Sequence, residues 1–458
     1  MMKQSGGSDT GGKSGKKRIV AFGPGPRFKG GIANYNTSLA RALERSGAFE
    51  RDVDPASGPD DEHAGDLEVH IVSWTQQYPA IIPRDFIDRK STGDRLEGAR
   101  VEVHYTLNYN RPSSWRRTVG LIKSLDPEAV VIQWAIAIQG IPLRYLARKL
   151  RKAGIRVIFD LHFVVQKENS KLDRILTRRC IRFSDLYITH SLKTFNELKE
   201  LIPGRDYRLC YLEDPPPGEG IPVLKLFHPV YDMYRKDESF DVEAIKSALG
   251  LRKHVFLFFG FIRKYKGLHN VIEAFNILCK RRDDVSLLVV GELFWQTLDT
   301  RKLSTRLKRA LFGVAKRLFL SKKDDEQDYR PLDLVSKYGL EDRVAAITEF
   351  VPHEDVHQYF QVSDCITLFY TTATPSGVES MAYNFGLPIL ATDVGHFPET
   401  IRPGYNGYLA EPGNPESMAG VMEQSITHPI PRENVYATSA EMSWDNYARA
   451  ILRHVTAG

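Results

Sequence analysis

Cysteine is scarce in this sequence, and what little there is lies scattered. Cys180, Cys210, Cys279 and Cys365 are far apart in a chain of 458 residues, and no C-x-x-C pair occurs. That spacing weighs against a disulfide framework or a cysteine zinc site and favours a reducing, cytoplasmic setting. Long apolar runs are also missing. No stretch approaches the roughly 20 residues that a membrane-spanning helix needs. The opening MMKQSGGSDTGGKSGKKR lacks the apolar centre of a signal peptide. The charge excess is slight, +6 over the whole chain. It suits an anionic ligand or an anionic membrane surface and gives no reason to invoke nucleic acid.

The composition is that of a globular protein, with 42% hydrophobic and 26% charged residues. The length exceeds one ordinary core, so two domains are expected. Residues 1–17 read as a disordered, basic, Gly/Ser-rich tail. Folding begins with RIVAF at 18–22, followed by the Gly/Pro loop GPGPRFKGG. A helical pattern then runs from Ile32, with Gly47 as its stop signal. Residues 51–66, RDVDPASGPDDEHAGD, read as a surface insertion. Strand candidates recur at 69–74, 101–105, 129–135, 156–162 and 186–191, with helical patterns between several of them.

The prolines of EDPPPGEGIPV at 213–223 read as a linker or exposed loop. A second strand–helix alternation follows, with strands at 254–260, 286–292, 344–351, 364–370 and 387–395. The expectation is an α/β chain of two Rossmann-like, doubly wound parallel-sheet domains facing a cleft. The first spans 18–235 and the second 236–440. A terminal helix at 441–458 is expected to pack back on the first domain. The segment 298–323, LDTRKLSTRLKRALFGVAKRLFLSKK, interrupts the second domain as a basic helical insertion. Two readings stand for it: a helix lying on an anionic membrane, or one packed on its own domain with a solvated basic face.

Four segments carry chemistry. In the loop Gly23–Gly31, glycines after a strand let backbone approach a phosphate at the start of a helix. Its spacing is not the G-x-G-x-x-G of dinucleotide sites, and a tight strand-to-helix turn explains it equally well. In FFGFIRKYKGLHNVIEAF at 258–275, a buried strand ends at Gly260, and Arg263, Lys264 and Lys266 precede a helix. Cations placed there would offset the charge of a departing diphosphate; a solvated basic turn is the alternative. In TTATPSGVES, Ser376 would cap a helix whose Gly377, Val378 and Glu379 N–H groups bind an anion. Glu379 falls at the capping-box position after Ser376, although its carboxylate could instead accept from a ribose diol. His162 ends an apolar strand and would face the cleft to bond a sugar hydroxyl or phosphate, or else bond a neighbouring carbonyl.

Taken in order, these segments resemble glycosyltransferase family 4 of the GT-B fold. The similar stretches are 23–43, DLHFVV at 160–165, 258–275 and PSGVESMAYNFGLPILATDVGHFPE at 375–399, joined by 349–364 and 443–452. The resemblance implies a retaining, hexosyltransferase-type transfer from a nucleoside-diphosphate sugar to an acceptor hydroxyl, with no cofactor and no essential metal. It implies a glycan or lipid-linked acceptor, in glycan, glycolipid or cell-surface polysaccharide synthesis, and allows peripheral membrane contact through 298–323. By position, Gly30 and Gly31 would lie near the donor phosphates, and His162 would contact the donor sugar. Arg263 and Lys266 would hold the diphosphate, Ser376, Gly377 and Val378 would add N–H groups, and Glu379 would bind the ribose.

Two positions depart from the family pattern. Thr371 stands where the first of two glutamates eight positions apart is usual, facing the transferred sugar. Phe261 follows Gly260, so the arginine role passes to Arg263. A sugar-phosphate processor of similar architecture and a non-catalytic nucleotide-sugar-binding or scaffold protein are the rival readings.

Overall fold

The computed structural model describes residues 17–49, 67–79, 86–89, 91, 93–164, 171–216, 218–292, 328–375 and 377–456. The expected tail at 1–17 (but for residue 17), the insertion at 51–66, the basic segment 298–323 and Ser376 lie outside these residues.

Two sheets form, and every strand pair in both is parallel. The first contains β1 (Arg18–Phe22), β2 (Glu68–Gln76), β3 (Val101–Asn108), β4 (Ala129–Trp134), β5 (Arg156–Leu161), β6 (Leu186–Thr189), β7 (Tyr207–Cys210) and β8 (Ile221–Lys225). Their order is β3-β2-β1-β4-β5-β6-β8-β7. The second contains β9 (His254–Phe259), β10 (Val285–Val290), β11 (Val344–Ile347), β12 (Cys365–Leu368), β13 (Ile389–Thr392) and β14 (Gly407–Ala410), in the order β11-β10-β9-β12-β13-β14. The central strands are apolar runs such as AVVIQW and VSLLVV, buried along their whole length. Strands covered on both faces require such runs, which is why their pattern is continuous rather than alternating.

Strand order reverses direction between β1 and β4 in the first sheet and between β9 and β12 in the second. Loops leaving the carboxyl ends of strands at such a reversal form the natural crevice of a doubly wound sheet. The Gly23–Gly31 loop leaves β1, the Gly260–Gly267 loop leaves β9, and the 369–375 segment leaves β12.

Two expectations need correction. The 213–223 stretch is not wholly linker, because Ile221, Pro222 and Val223 belong to β8, which is hydrogen-bonded to β6 and β7. The prolines masked a strand of five residues. Gly47 does not stop its helix, which runs Gly31–Phe49. A Cβ at Gly47 would press into the Leu67 side chain, so close packing explains this glycine.

The passage between sheets follows β8: Leu226 N–H donates to Thr189 O, and Val230 N–H to Met442 O. The helix Trp444–Thr456 lies against the first domain. Arg45 pairs with Asp445 at 2.7 Å, and Arg156 donates to the carbonyls of His454 and Val455. One apolar cluster runs from β1 and the Gly31 helix through Tyr231 and Tyr234 into the core of the second sheet. Among the described residues no helix is long and apolar enough to cross a membrane.

Candidate active site

Lys266 is the centre of the site. A short 3-10 turn, Lys264–Lys266, follows β9 and folds its side chain inward, leaving it 8% exposed. The ammonium lies against Gly260, where an added Cβ would come within 2.7 Å of Nζ; the φ of +97° at Gly260 also favours glycine. Among the described residues no carboxylate pairs with this ammonium. Burial, and then the neighbouring Arg263, lower its pKa to about 8. Arg263 stays half-buried, with its guanidinium 5.1 Å from the Tyr265 ring centroid. Thr371 is exposed beside this loop and donates its N–H to Tyr265 O at 2.9 Å.

The helix Gly377–Asn384 begins next to this turn. Val378 packs on Gly260, since its Cγ2 lies 3.5 Å from a Cβ placed there. Gly377 faces across to the first domain, and any side chain on it would overlap the Tyr231 ring. Tyr231 hydroxyl in turn donates to Gly31 O at 2.9 Å. One aromatic side chain therefore lies between the starts of two helices, Gly31–Phe49 and Gly377–Asn384, whose N–H groups form the positive ends of their dipoles. Gly30 precedes this junction with φ +101° and is exposed.

Glu379 does something neither sequence reading contained. Its side chain is buried, with Oε2 2.5 Å from His396 Nε2 and Oε1 accepting from Thr400 Oγ1 at 2.5 Å. The carboxylate thus braces its own domain, and each oxygen keeps a second lone pair for another donor.

His162 follows β5 and is buried among polar and aromatic groups. Nε2 lies 2.7 Å from Gln133 Oε1, an assignment that places the proton on Nε2 and leaves Nδ1 as acceptor. Burial lowers its pKa to about 4, so the ring is neutral at pH 7. Tyr35 meets it edge-on at 4.6 Å, and His190 and His228 follow at 5.4 and 6.4 Å. Two residues back on the same strand face, Asp160 pairs with His190 at 2.9 Å and accepts from Tyr447 at 3.1 Å. Burial raises the Asp160 carboxyl, but the charge and hydrogen bond of His190 outweigh it and hold the pKa at about 2. His228 reaches the second domain, 2.8 Å from Ser380 Oγ on the Gly377 helix.

The structure therefore brings Gly31, Gly377, Val378, Lys266 and Arg263 to one junction, with Thr371 at its rim. His162 joins that junction through His228 and Ser380. Sequence reading missed Tyr231, Gln133, Asp160, His190 and His228. Only Asp160 carried a local signal, being two residues before His162 on the same strand face.

Residues 240–442 match the family model of Glycosyl transferases group 1. A curated relative, spore coat protein SA of Bacillus subtilis, is 24% identical over 239 residues, covering 50% of this chain and 55% of that protein. The chain thus spans about half the length of this curated relative. Among solved structures, HepE of Anabaena in complex with UDP matches with TM-score 0.59 at 15% identity, over 96% of this chain and 100% of that one. Sucrose-phosphate synthase of Thermosynechococcus elongatus matches with TM-score 0.56 at 15% identity, over 95% and 97%. At these identities the likeness establishes the fold, which is GT-B.

Proposed function

We propose that this protein is a glycosyltransferase that moves a sugar from a nucleoside-diphosphate sugar to an acceptor hydroxyl with retention at the anomeric carbon. The observation that carries the proposal is Lys266, a buried ammonium at a strand's carboxyl end with no carboxylate partner among the described residues. Such a group is costly to bury unless an anion meets it. The group 1 match over 240–442 and the GT-B fold, shared with a structure in complex with UDP, support the same reading.

In this scheme Lys266 and Arg263 hold the diphosphate between the Gly31 and Gly377 helix starts. The bond from anomeric carbon to phosphate oxygen breaks, and the diphosphate keeps the electron pair. These cations and N–H groups stabilise the charge that develops there. The acceptor oxygen bonds the anomeric carbon on the same face, and its proton passes to the leaving phosphate oxygen. Neutral His162, steadied by Gln133, offers Nδ1 to a hydroxyl of the donor sugar. Glu379 accepts from the ribose with its remaining lone pairs. Tyr231 covers the Gly377 helix start, so its ring moves aside or packs on the donor when the diphosphate enters.

That cover also favours a second reading, a nucleotide-sugar-binding protein without turnover. A screen of nucleoside-diphosphate sugars for diphosphate release, with and without glycan or lipid-linked acceptors, separates the two. Release from one donor, accelerated by acceptor, is the expected result. No release from any donor would overturn the transferase proposal. Peripheral membrane contact through 298–323 is proposed on sequence grounds. Equal liposome co-sedimentation with and without that segment would remove it.

A further inference from the structure

Away from the cleft, at the amino-terminal ends of two neighbouring strands, three metal-ligating side chains meet. His70 belongs to β2, and Glu102 and His104 to the edge strand β3. Parallel register sets His70 beside Glu102 and Val72 beside His104. Alternation along β3 places Glu102 and His104 on the face that His70 shares.

The donor atoms form a nearly equilateral triangle. His70 Nδ1 to Glu102 Oε2 is 3.6 Å, Glu102 Oε2 to His104 Nε2 is 3.5 Å, and His104 Nε2 to His70 Nδ1 is 3.4 Å. In a tetrahedral site the ligand–ligand edge is about 1.6 times the bond length, so these edges correspond to bonds of about 2.1 Å, the length zinc makes with nitrogen and carboxylate oxygen. The His70 side chain is 9% exposed, and its buried Nε2 has no hydrogen-bond partner among the described residues. Among the described residues the ring's polar contacts thus run through Nδ1, toward the other two ligands. Glu102 is 72% exposed, which leaves a fourth position open to water.

We propose that His70, Glu102 and His104 form a binding site for a divalent transition metal of the zinc type. Two imidazoles and one carboxylate suit zinc or cobalt, whereas magnesium and calcium prefer all-oxygen sites. The ion fastens edge strand β3 to β2 before β3 reaches the cleft end of the sheet. The other such group among the described residues, Asp160, His162 and His190, is already committed to the candidate active site: Asp160 bonds His190 and Tyr447, and His162 bonds Gln133.

The test uses the full chain, stripped of metal with chelator and titrated with Zn²⁺ and, separately, Co²⁺. The expected result is one saturable equivalent, the visible absorption of four-coordinate cobalt, and a raised Tm with zinc but not with magnesium. Glu102→Gln changes a largely solvent-exposed side chain, and His104→Ala removes a second ligand. Each is expected to lose the one-equivalent transition while keeping the metal-free Tm of the wild type. Absence of saturable zinc binding, or binding as tight in both variants as in the wild type, would overturn the proposal. The second outcome would place the ion at the cysteines or the Asp160 group instead. Neither result bears on the glycosyltransferase reading, because no residue of this site belongs to the donor junction.

Discussion

Two buried lysines stand at the carboxyl ends of the two sheets, and they differ in what answers their charge. Lys225, the last residue of β8, is 9% exposed and lies 3.2 Å from Glu399 of the second domain. Glu399 also accepts from Leu192 N–H at 3.2 Å, so the pair ties one domain to the other. Lys266 is 8% exposed, yet among the described residues it has Gly260 and an aromatic ring nearby instead of a carboxylate. A buried cation answered within the chain is a structural tie. One left unanswered weakens its own protonation or waits for an anion from outside.

The largest effect should come from removing the unanswered lysine. Lys266→Ala is expected to cut turnover by about 10²–10³-fold, the loss typical of a group that stabilises developing charge. Its folding stability should be unchanged or slightly raised. His162→Ala should lower kcat by about 10²-fold through loss of a positioned hydrogen bond, with the nucleotide affinity retained. Turnover of Lys266→Ala equal to that of the wild type would dissolve the distinction between the two lysines.

The pH dependence sharpens the comparison further. Lys266 has a pKa lowered from 10.5 to about 8, so above pH 8 the free protein progressively loses the charge that receives the diphosphate. Donor affinity should fall by up to about tenfold per pH unit above 8, and this slope should vanish in Lys266→Ala. Stability moves the opposite way. Between pH 8 and 10.5 the unfolded chain binds more protons at this residue than the folded one, so the Lys266 contribution to stability rises with pH.

Lys225→Met should shift stability instead of binding. It removes one partner of a mostly buried pair and should cost about 1–3 kcal/mol in urea denaturation, with nucleotide affinity near that of the wild type. The smallest effect belongs to Tyr231→Phe, which loses one hydrogen bond to Gly31 O, worth about 1 kcal/mol or less.

The sheets were largely legible in the sequence because strands buried on both faces, such as AVVIQW and VSLLVV, leave unbroken apolar runs. Strands β7 (YRLC), β8 (IPVLK) and β14 (GYLA) were not, since an arginine, a proline and a glycine interrupt their short apolar signal. In the candidate site, the glycine loops and Lys266 announced themselves by following strands. Tyr231, His190 and His228 did not, because their roles arise only when the passage between sheets and the end of β6 fold against the Gly31 helix. The His70, Glu102 and His104 group was equally silent. Its members lie 32 and 34 positions apart, and only parallel register brings them together.

The most direct measurement is calorimetric titration of UDP, GDP and ADP into the wild type, Lys266→Ala and Lys225→Met. At least one nucleoside diphosphate should bind the wild type, Lys225→Met should retain this binding, and Lys266→Ala should lose most of it. Binding of that nucleotide to Lys266→Ala as tight as to the wild type, or no binding of any of the three, would contradict the diphosphate-holding role of Lys266.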